Sequence, residues 1–320
     1  MKKLLVALSL LCSIAILAAC ANAFAENQSI TVALCQLGSE NNWRITETES
    51  IRTEAEARGH KLIYTNADND TAKQISDMED IVQQKPDVIL LAPREYEGLS
   101  VALATAKEAS IPVILIDRDC KGVAGEDYVT LIAADFEWEG MTAAQALVEK
   151  FGAEAAVNVV QITGTPDSSP AISRRKGFEE EIAKYPNFTI IATQNGDFQR
   201  ATAQAVMENV IQAQGSNIDA VYGHDDECAI GAIQALKTNN MSVGGDNGVQ
   251  VVGIGGFRDA AVAIQNGDML ATVLCSPFFG PTSMDIAEKI VKGEEIPTFI
   301  QNPGYLIDLN NVEEYLPKSF

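Results

Sequence analysis

The stretch IPVILIDRD at residues 111–119 decides the fold. Its apolar run, residues 113–116, has the length and β-branched content of a strand buried on both faces, and it stops at Asp117 and Arg118. In an open α/β sheet the carboxyl ends of the parallel strands face the ligand crevice, so a polar pair placed there is a candidate anchor. Upstream, apolar strands at 30–35, 61–65 and 87–91 alternate with helices at 43–57, 71–84 and 96–109; the 71–84 segment carries Ile75, Met78, Ile81 and Val82 at helical spacing. Residues 129–133 read as a crossing between domains. The alternation then restarts, with helices at 137–151, 171–184, 201–212, 227–237, 259–266 and 281–291. The intervening strands fall at 156–161, 189–193, 220–222, 251–254 and 270–274. This is an α/β chain of two doubly wound parallel-sheet domains. No flexible linker separates them, so short hinge segments must join them, and the cleft between them is the expected ligand site.

Composition narrows the function. The chain has 320 residues, of which 47% are hydrophobic and 21% charged, with 23 lysines and arginines against 44 acids. A net charge of -21 repels phosphate backbones, which argues against nucleic acid as a partner. Lys2 and Lys3 precede an apolar run at 4–19, short for a spanning helix and suited to an export signal. Two processing readings compete. Leu17-Ala18-Ala19-Cys20 resembles a bacterial lipobox with Cys20 as the lipid attachment point, and Ala23-Phe24-Ala25 resembles a site for ordinary cleavage after Ala25. A retained anchor is a third reading. Cys35, Cys120, Cys228 and Cys275 lie far apart without a CxxC pair, which suits buried free thiols, leaves one disulfide open and does not suit zinc.

The candidate binding residues sit at strand ends. Asn41, Trp43 and Arg44 follow the first strand; an indole face covers the C–H surface of a sugar, while Asn41 and Arg44 serve hydroxyls. Asp117 and Arg118 offer an acceptor and a donor fork side by side. Arg174, Phe198 and Asp225 follow strands of the second half. Core packing is the plain alternative for Trp43 and Phe198, and helix capping for Asp225. Gly253, Gly255 and Gly256 do not form the full dinucleotide fingerprint. With only His60 and His224, and no Walker, GxSxG or HExxH motif, the chain offers little for catalysis. Neither a cofactor nor a metal is expected.

GSENNWR at 38–44, IPVILIDRD at 111–119, RRKGF at 174–178 and YGHDDECAIGAIQAL at 222–236 resemble the ribose/galactose-type periplasmic sugar-binding proteins of ABC transporters. They are most similar to the galactofuranose-binding branch. The resemblance runs from Ile30 to the tail. It implies the type I periplasmic binding protein fold, with one lobe at 26–134 plus 276–303, the other at 135–275 plus 304–320, and a three-segment hinge. It also implies ligand contacts at Asn41, Trp43, Arg44, Asp117, Arg118, Arg174, Phe198 and Asp225. Ser39, Gly255 and Cys275 are secondary candidates. Asp225 falls where the ribose pattern has asparagine, Gly255 where it has aspartate, and Cys275 where it has a hinge-side glutamine. That suggests a carboxylate moved from 255 to 225, opening space beside Gly255.

The implied function is a monomeric, non-enzymatic binder of a monosaccharide, in the periplasm or lipid-anchored at the outer face of the cytoplasmic membrane, delivering to the permease subunits of an importer. A receptor for a chemoreceptor or sensor kinase, or a binder of another polyol or nucleoside, is the alternative. A glycosidase is disfavoured, and so is a related repressor, because the export signal stands where a DNA-binding element would be needed.

Overall fold

The computed structural model describes residues 29–320. The expectations for Cys20 and for cleavage after Ala25 lie outside the described residues. The first half runs β1 (Thr31–Gln36), α1 (Asn42–Ala57), β2 (Lys61–Asn66), α2 (Thr71–Gln83), β3 (Val88–Leu91), α3 (Ser100–Glu108), β4 (Val113–Ile116) and β5 (Thr130–Ala133). The second half runs α4 (Phe136–Phe151), β6 (Val157–Thr163), α5 (Ser169–Ile182), β7 (Phe188–Asn195), α6 (Arg200–Gln214), β8 (Ala220–Gly223), α7 (Asp226–Thr238), β9 (Gln250–Gly255), α8 (Arg258–Gln265) and β10 (Ala271–Leu274). The chain ends with α9 (Gly280–Val291), β11 (Phe299–Gln301), β12 (Leu306–Asp308) and α10 (Val312–Tyr315).

These strands form two six-stranded sheets, ordered β11-β5-β4-β3-β1-β2 and β12-β10-β9-β8-β6-β7. Every pairing is parallel except β10 with β12. We call the body around each sheet a lobe. The chain passes between the sheets three times, after β5, after β10 and after β11. Of residues 129–133, read from sequence as a crossing, Thr130–Ala133 form instead a strand of the first sheet, paired with β4 on one side and β11 on the other. The passage follows them.

Period-two geometry explains why apolar runs rather than alternating ones build the sheet centres. In β1, β3 and β4, Val32, Leu34, Val88, Leu90, Ile114 and Ile116 pack into one core with Ile51 of α1 and Met284 of α9. Their neighbours Ala33, Cys35, Ile89, Leu91, Val113 and Leu115 pack on the opposite face with Met78 and Ile81 of α2 and Leu103 of α3. Both faces are covered, so both sets must be apolar. The edge strand β2 is only half-buried and accordingly mixes Lys61, Tyr64 and Asn66 with its aliphatic residues. The helix expected at 96–109 starts only at Ser100, because the Tyr96 N–H reaches across to the Asp167 carbonyl at 2.9 Å, a contact between the lobes.

Helix caps bring polar side chains to the strand ends. Asn41, Asp70, Asp135 and Asp225 each accept a hydrogen bond from the backbone N–H three residues on. Each such cap contributes about 1 kcal/mol. Helices α4 and α5 approach closely because Gly140 and Gly177 lack side chains: a Cβ on Gly177 would collide with the Glu137 carbonyl, and one on Gly140 with the Arg174 carbonyl. That approach sets Arg174 beside Glu139. All four described cysteines are buried free thiols.

Candidate functional site

A cavity lies where the carboxyl ends of the two sheets face each other. Its walls include Asn41, Trp43, Arg44, Asp117, Arg118, Arg174, Phe198 and Asp225, together with the secondary candidates Gly255 and Cys275. Ser39 is a correction: it is exposed and lies outside the cavity, its hydroxyl turned toward the Asn66 amide on the β2 edge. Glu40, one residue on, lines the cavity in its place; Pro170, Ile254 and Phe257 also line it without having been singled out in the sequence.

The first-lobe wall is a buried charge network. Arg44 donates through Nη1 to Glu47 Oε2 at 2.6 Å and through Nη2 to Asp117 Oδ2 at 2.7 Å, with Glu40 Oε1 3.4 Å from Nε. Burial opposes the Arg44 charge, but Glu47, Asp117 and Glu40 outweigh it and raise its pKa. Arg118 fares differently. Burial and the neighbouring Arg44 pull its guanidinium down to about 10, although Asp117 and Glu40 counteract both. Its Nη1 donates to the Arg94 carbonyl at 3.1 Å. Gln36 and Thr48 complete a layer behind the wall: the Gln36 amide donates to Glu47 Oε2 at 3.0 Å and to Thr48 Oγ1 at 3.1 Å. Two buried polar atoms on the cavity-lining residues of this wall, Glu40 Oε2 and Arg118 Nε, have no hydrogen-bond partner, and neither does Glu47 Oε1 behind them. One acceptor and one donor are thus left for a hydroxyl-bearing molecule.

The second-lobe wall combines Arg174, Asp225 and Phe198. Arg174 Nε donates to Glu139 Oε2 at 2.8 Å and Nη1 to the His224 carbonyl at 2.9 Å. His224 is fully buried, and burial with Arg174 nearby drives its pKa well below the usual value, so the ring is neutral. Phe198 lies under two cations, its ring centre 5.6 Å from the Arg118 guanidinium and 6.0 Å from that of Arg174. Its ring occupies the place of an absent side chain at Gly164, where a Cβ would overlap it.

Asp117 and Phe198 are both left-handed, with φ of 59° and 54°. For a bulky residue such as Phe198 this is an outlier, and each such backbone costs about 1–3 kcal/mol. Both occur in the cavity wall, where the strain aims a side chain inward. Trp43 and Asn41 tie the lobes together: the indole N–H donates to the Cys275 carbonyl at 2.6 Å, and the Asn41 amide to the Phe198 carbonyl at 3.3 Å.

Asp225 both caps α7 and lines the cavity, so the capping and ligand readings of this residue coincide. Burial pushes its carboxyl up to about 7, against the Cys228 N–H that stabilises the anion. The folded protein therefore keeps a proton that the unfolded chain releases. The resulting stability is complete below about pH 4 and is lost as pH rises toward 7. Asp225→Asn should flatten that part of the curve relative to the parent protein. Denaturant midpoints measured from pH 4 to 8 check this, and parallel curves for the two proteins would refute it.

Residues 32–295 match the periplasmic binding protein domain model, and the chain belongs to that family. It is 37% identical over 284 residues to a galactofuranose-binding protein of Escherichia coli, covering 87% of this chain and 88% of the relative. It is 31% identical to a ribose import binding protein of Bacillus subtilis, covering 87% of each. A crystal structure of a galactofuranose-binding protein superposes with a TM-score of 0.87 at 35% identity, covering 91% of this chain and 98% of that one.

Proposed function

We propose that the chain is the periplasmic sugar-binding component of an ABC importer. Its ligand is a monosaccharide, galactofuranose-like or a related aldose, held between the lobes. The observation that carries this is the balance of the cavity: Glu40, Asp117 and Asp225 stand against Arg44, Arg118 and Arg174, with Trp43 and Phe198 as aromatic walls. Carboxyl groups and guanidinium donors set side by side suit a neutral molecule rich in hydroxyls, each of which both donates and accepts, better than an ion. Two lobes that touch through the Asn41–Phe198 and Tyr96–Asp167 contacts suit a ligand that closes them by binding the closed form more tightly.

The described residues divide into one lobe of 29–134 plus 276–303 and another of 135–275 plus 304–320. The protein works as a monomer, without catalysis, and hands its sugar to the permease subunits. It reaches the periplasm by the N-terminal signal, with Cys20 as the lipid attachment point if the lipobox is used. The support for import is kinship with a ribose import binding protein.

A panel of aldoses in pyranose and furanose forms, titrated by calorimetry and tryptophan emission, tests the reading. The protein has two tryptophans. Trp43 lines the cavity, and Trp138 packs near Gly304 in the last crossing, so contact and closure both alter emission. Saturable binding of one aldose at micromolar concentration or below is expected. Binding of anions such as phosphate with no response to any neutral sugar would sink the assignment.

A further inference from the structure

The space expected beside Gly255 is filled, and what fills it points to selectivity. Gly255 has φ of +144°, and a Cβ built on it would stand 2.6 Å from the Phe257 ring. Only glycine lets that ring lie over the end of β9 and into the cavity. The turn that carries Phe257 is held from three sides. Asp226 Oδ2 accepts from the Gly256 N–H at 2.7 Å and from the Phe257 N–H at 2.9 Å. Its Oδ1 accepts from the Thr272 hydroxyl at 2.7 Å. The tail supplies the rest: the Tyr315 hydroxyl donates to the Gly256 carbonyl, and the Phe320 ring packs on Phe257 at 5.2 Å between centroids.

We propose that Phe257 sets ligand selectivity: its ring makes one wall of the cavity accept a C–H edge or methyl group of the sugar and reject a hydroxyl. The proposal rests on the sugar-binding reading and narrows it. The Asp226 carboxylate next to this wall is occupied by the turn itself. Ile254, Gly255 and Phe257 therefore present no side-chain donor or acceptor, whereas the opposite wall carries Glu40, Arg44, Asp117 and Arg118. A hydroxyl pressed against the ring loses water and gains no partner, which disfavours it even where it fits. An apolar edge there loses nothing polar and gains contact with the ring. The clamped turn keeps the ring from swinging aside.

Pairs of sugars that differ by one hydroxyl provide the test: galactose with 6-deoxygalactose, and ribose with 2-deoxyribose. For at least one pair, the parent protein should bind the deoxy member about tenfold tighter or more. Phe257→Ala should reduce that ratio to within about threefold of unity, by gaining affinity for the hydroxylated member. Phe257→Leu, which preserves an apolar side chain and threatens the fold less, should give an intermediate ratio. Far-ultraviolet circular dichroism identifies a variant that has not folded, and the leucine variant then decides. A parent protein that prefers the hydroxylated member of both pairs overturns the proposal, as does a deoxy preference unchanged in the folded variants. If the parent binds no sugar of any kind, the sugar reading itself falls and takes this inference with it.

Discussion

Asp117→Ala is expected to weaken sugar binding by about 100-fold or more and to cost about 3–5 kcal/mol of stability. Asp117 stands between two buried guanidiniums, 2.7 Å from Arg44 Nη2 and 3.6 Å from Arg118 Nε. Without it, two like charges face each other with only Glu40 and Glu47 to offset them, in a site where burial and Arg44 already lower the Arg118 pKa. Truncating one member of a buried ionic cluster exposes the desolvation cost of the rest, which exceeds the worth of the lost contact itself. The left-handed backbone at this position adds strain that alanine tolerates less well than aspartate. Asp117→Gly separates the two causes, since it removes the carboxylate and relieves the backbone. If charge dominates, the glycine variant loses binding as fully as the alanine one. Calorimetric titration and urea unfolding read the two losses separately, and a D117A protein that keeps its affinity within about threefold refutes this account of the anchor.

Arg174→Ala should destabilise the protein by about 3–5 kcal/mol near pH 8, and by distinctly less at pH 5. The reason lies behind the cavity. Glu139 is 1% exposed, and its Oε2 accepts from Arg174 Nε at 2.8 Å, with the Cys275 thiol as a weaker neighbour. Burial already raises its carboxyl pKa, with Arg174 as the largest force holding it down. Removing the arginine raises it further, so the folded protein takes up a proton more readily than the unfolded chain does. Stability tied to that proton is present at low pH and is lost as pH rises through the folded-state pKa, so the penalty grows toward alkaline pH. Pairing Arg174→Met with Glu139→Gln should restore most of the stability without restoring sugar binding, because Arg174 also lines the cavity. Guanidinium midpoints at the two pH values test this. A cost below about 1 kcal/mol at pH 8 would mean that the pair carries little of the lobe's stability.

Asp117 and Phe257 mark the difference between what is legible in sequence and what is not. Asp117 is found by inspection because it ends the apolar run of β4. Phe257 has the same kind of address, two residues beyond β9, yet nothing in its local sequence marks it as facing a ligand. Its place in the cavity depends on the Asp226 acceptor, the absent Gly255 side chain and the packing of Phe320. Glu40 is hidden in the sequence for a similar reason. Its neighbours in sequence are polar loop residues, and only the approach of Arg44 and Arg118 makes it a buried carboxylate. Strands β11 and β12 are three residues each and lack a continuous apolar run, so no periodicity marks them. Their pairing with β5 and β10 creates them.

The sequence by itself determined the α/β alternation, the two parallel-sheet halves and the places of Asn41, Asp117, Arg118, Phe198 and Asp225 just past strands, with Trp43, Arg44 and Arg174 on the helices that follow. Burial on both faces forces unbroken apolar runs, and each run ends where the backbone leaves the sheet. Tertiary structure alone decided that Thr130–Ala133 is a strand, that Ser39 turns away while Glu40 turns in, and that Phe257 rather than open space lies over Gly255. Those outcomes depend on atoms far apart in the chain competing for the same few cubic ångströms, a competition that local composition does not encode.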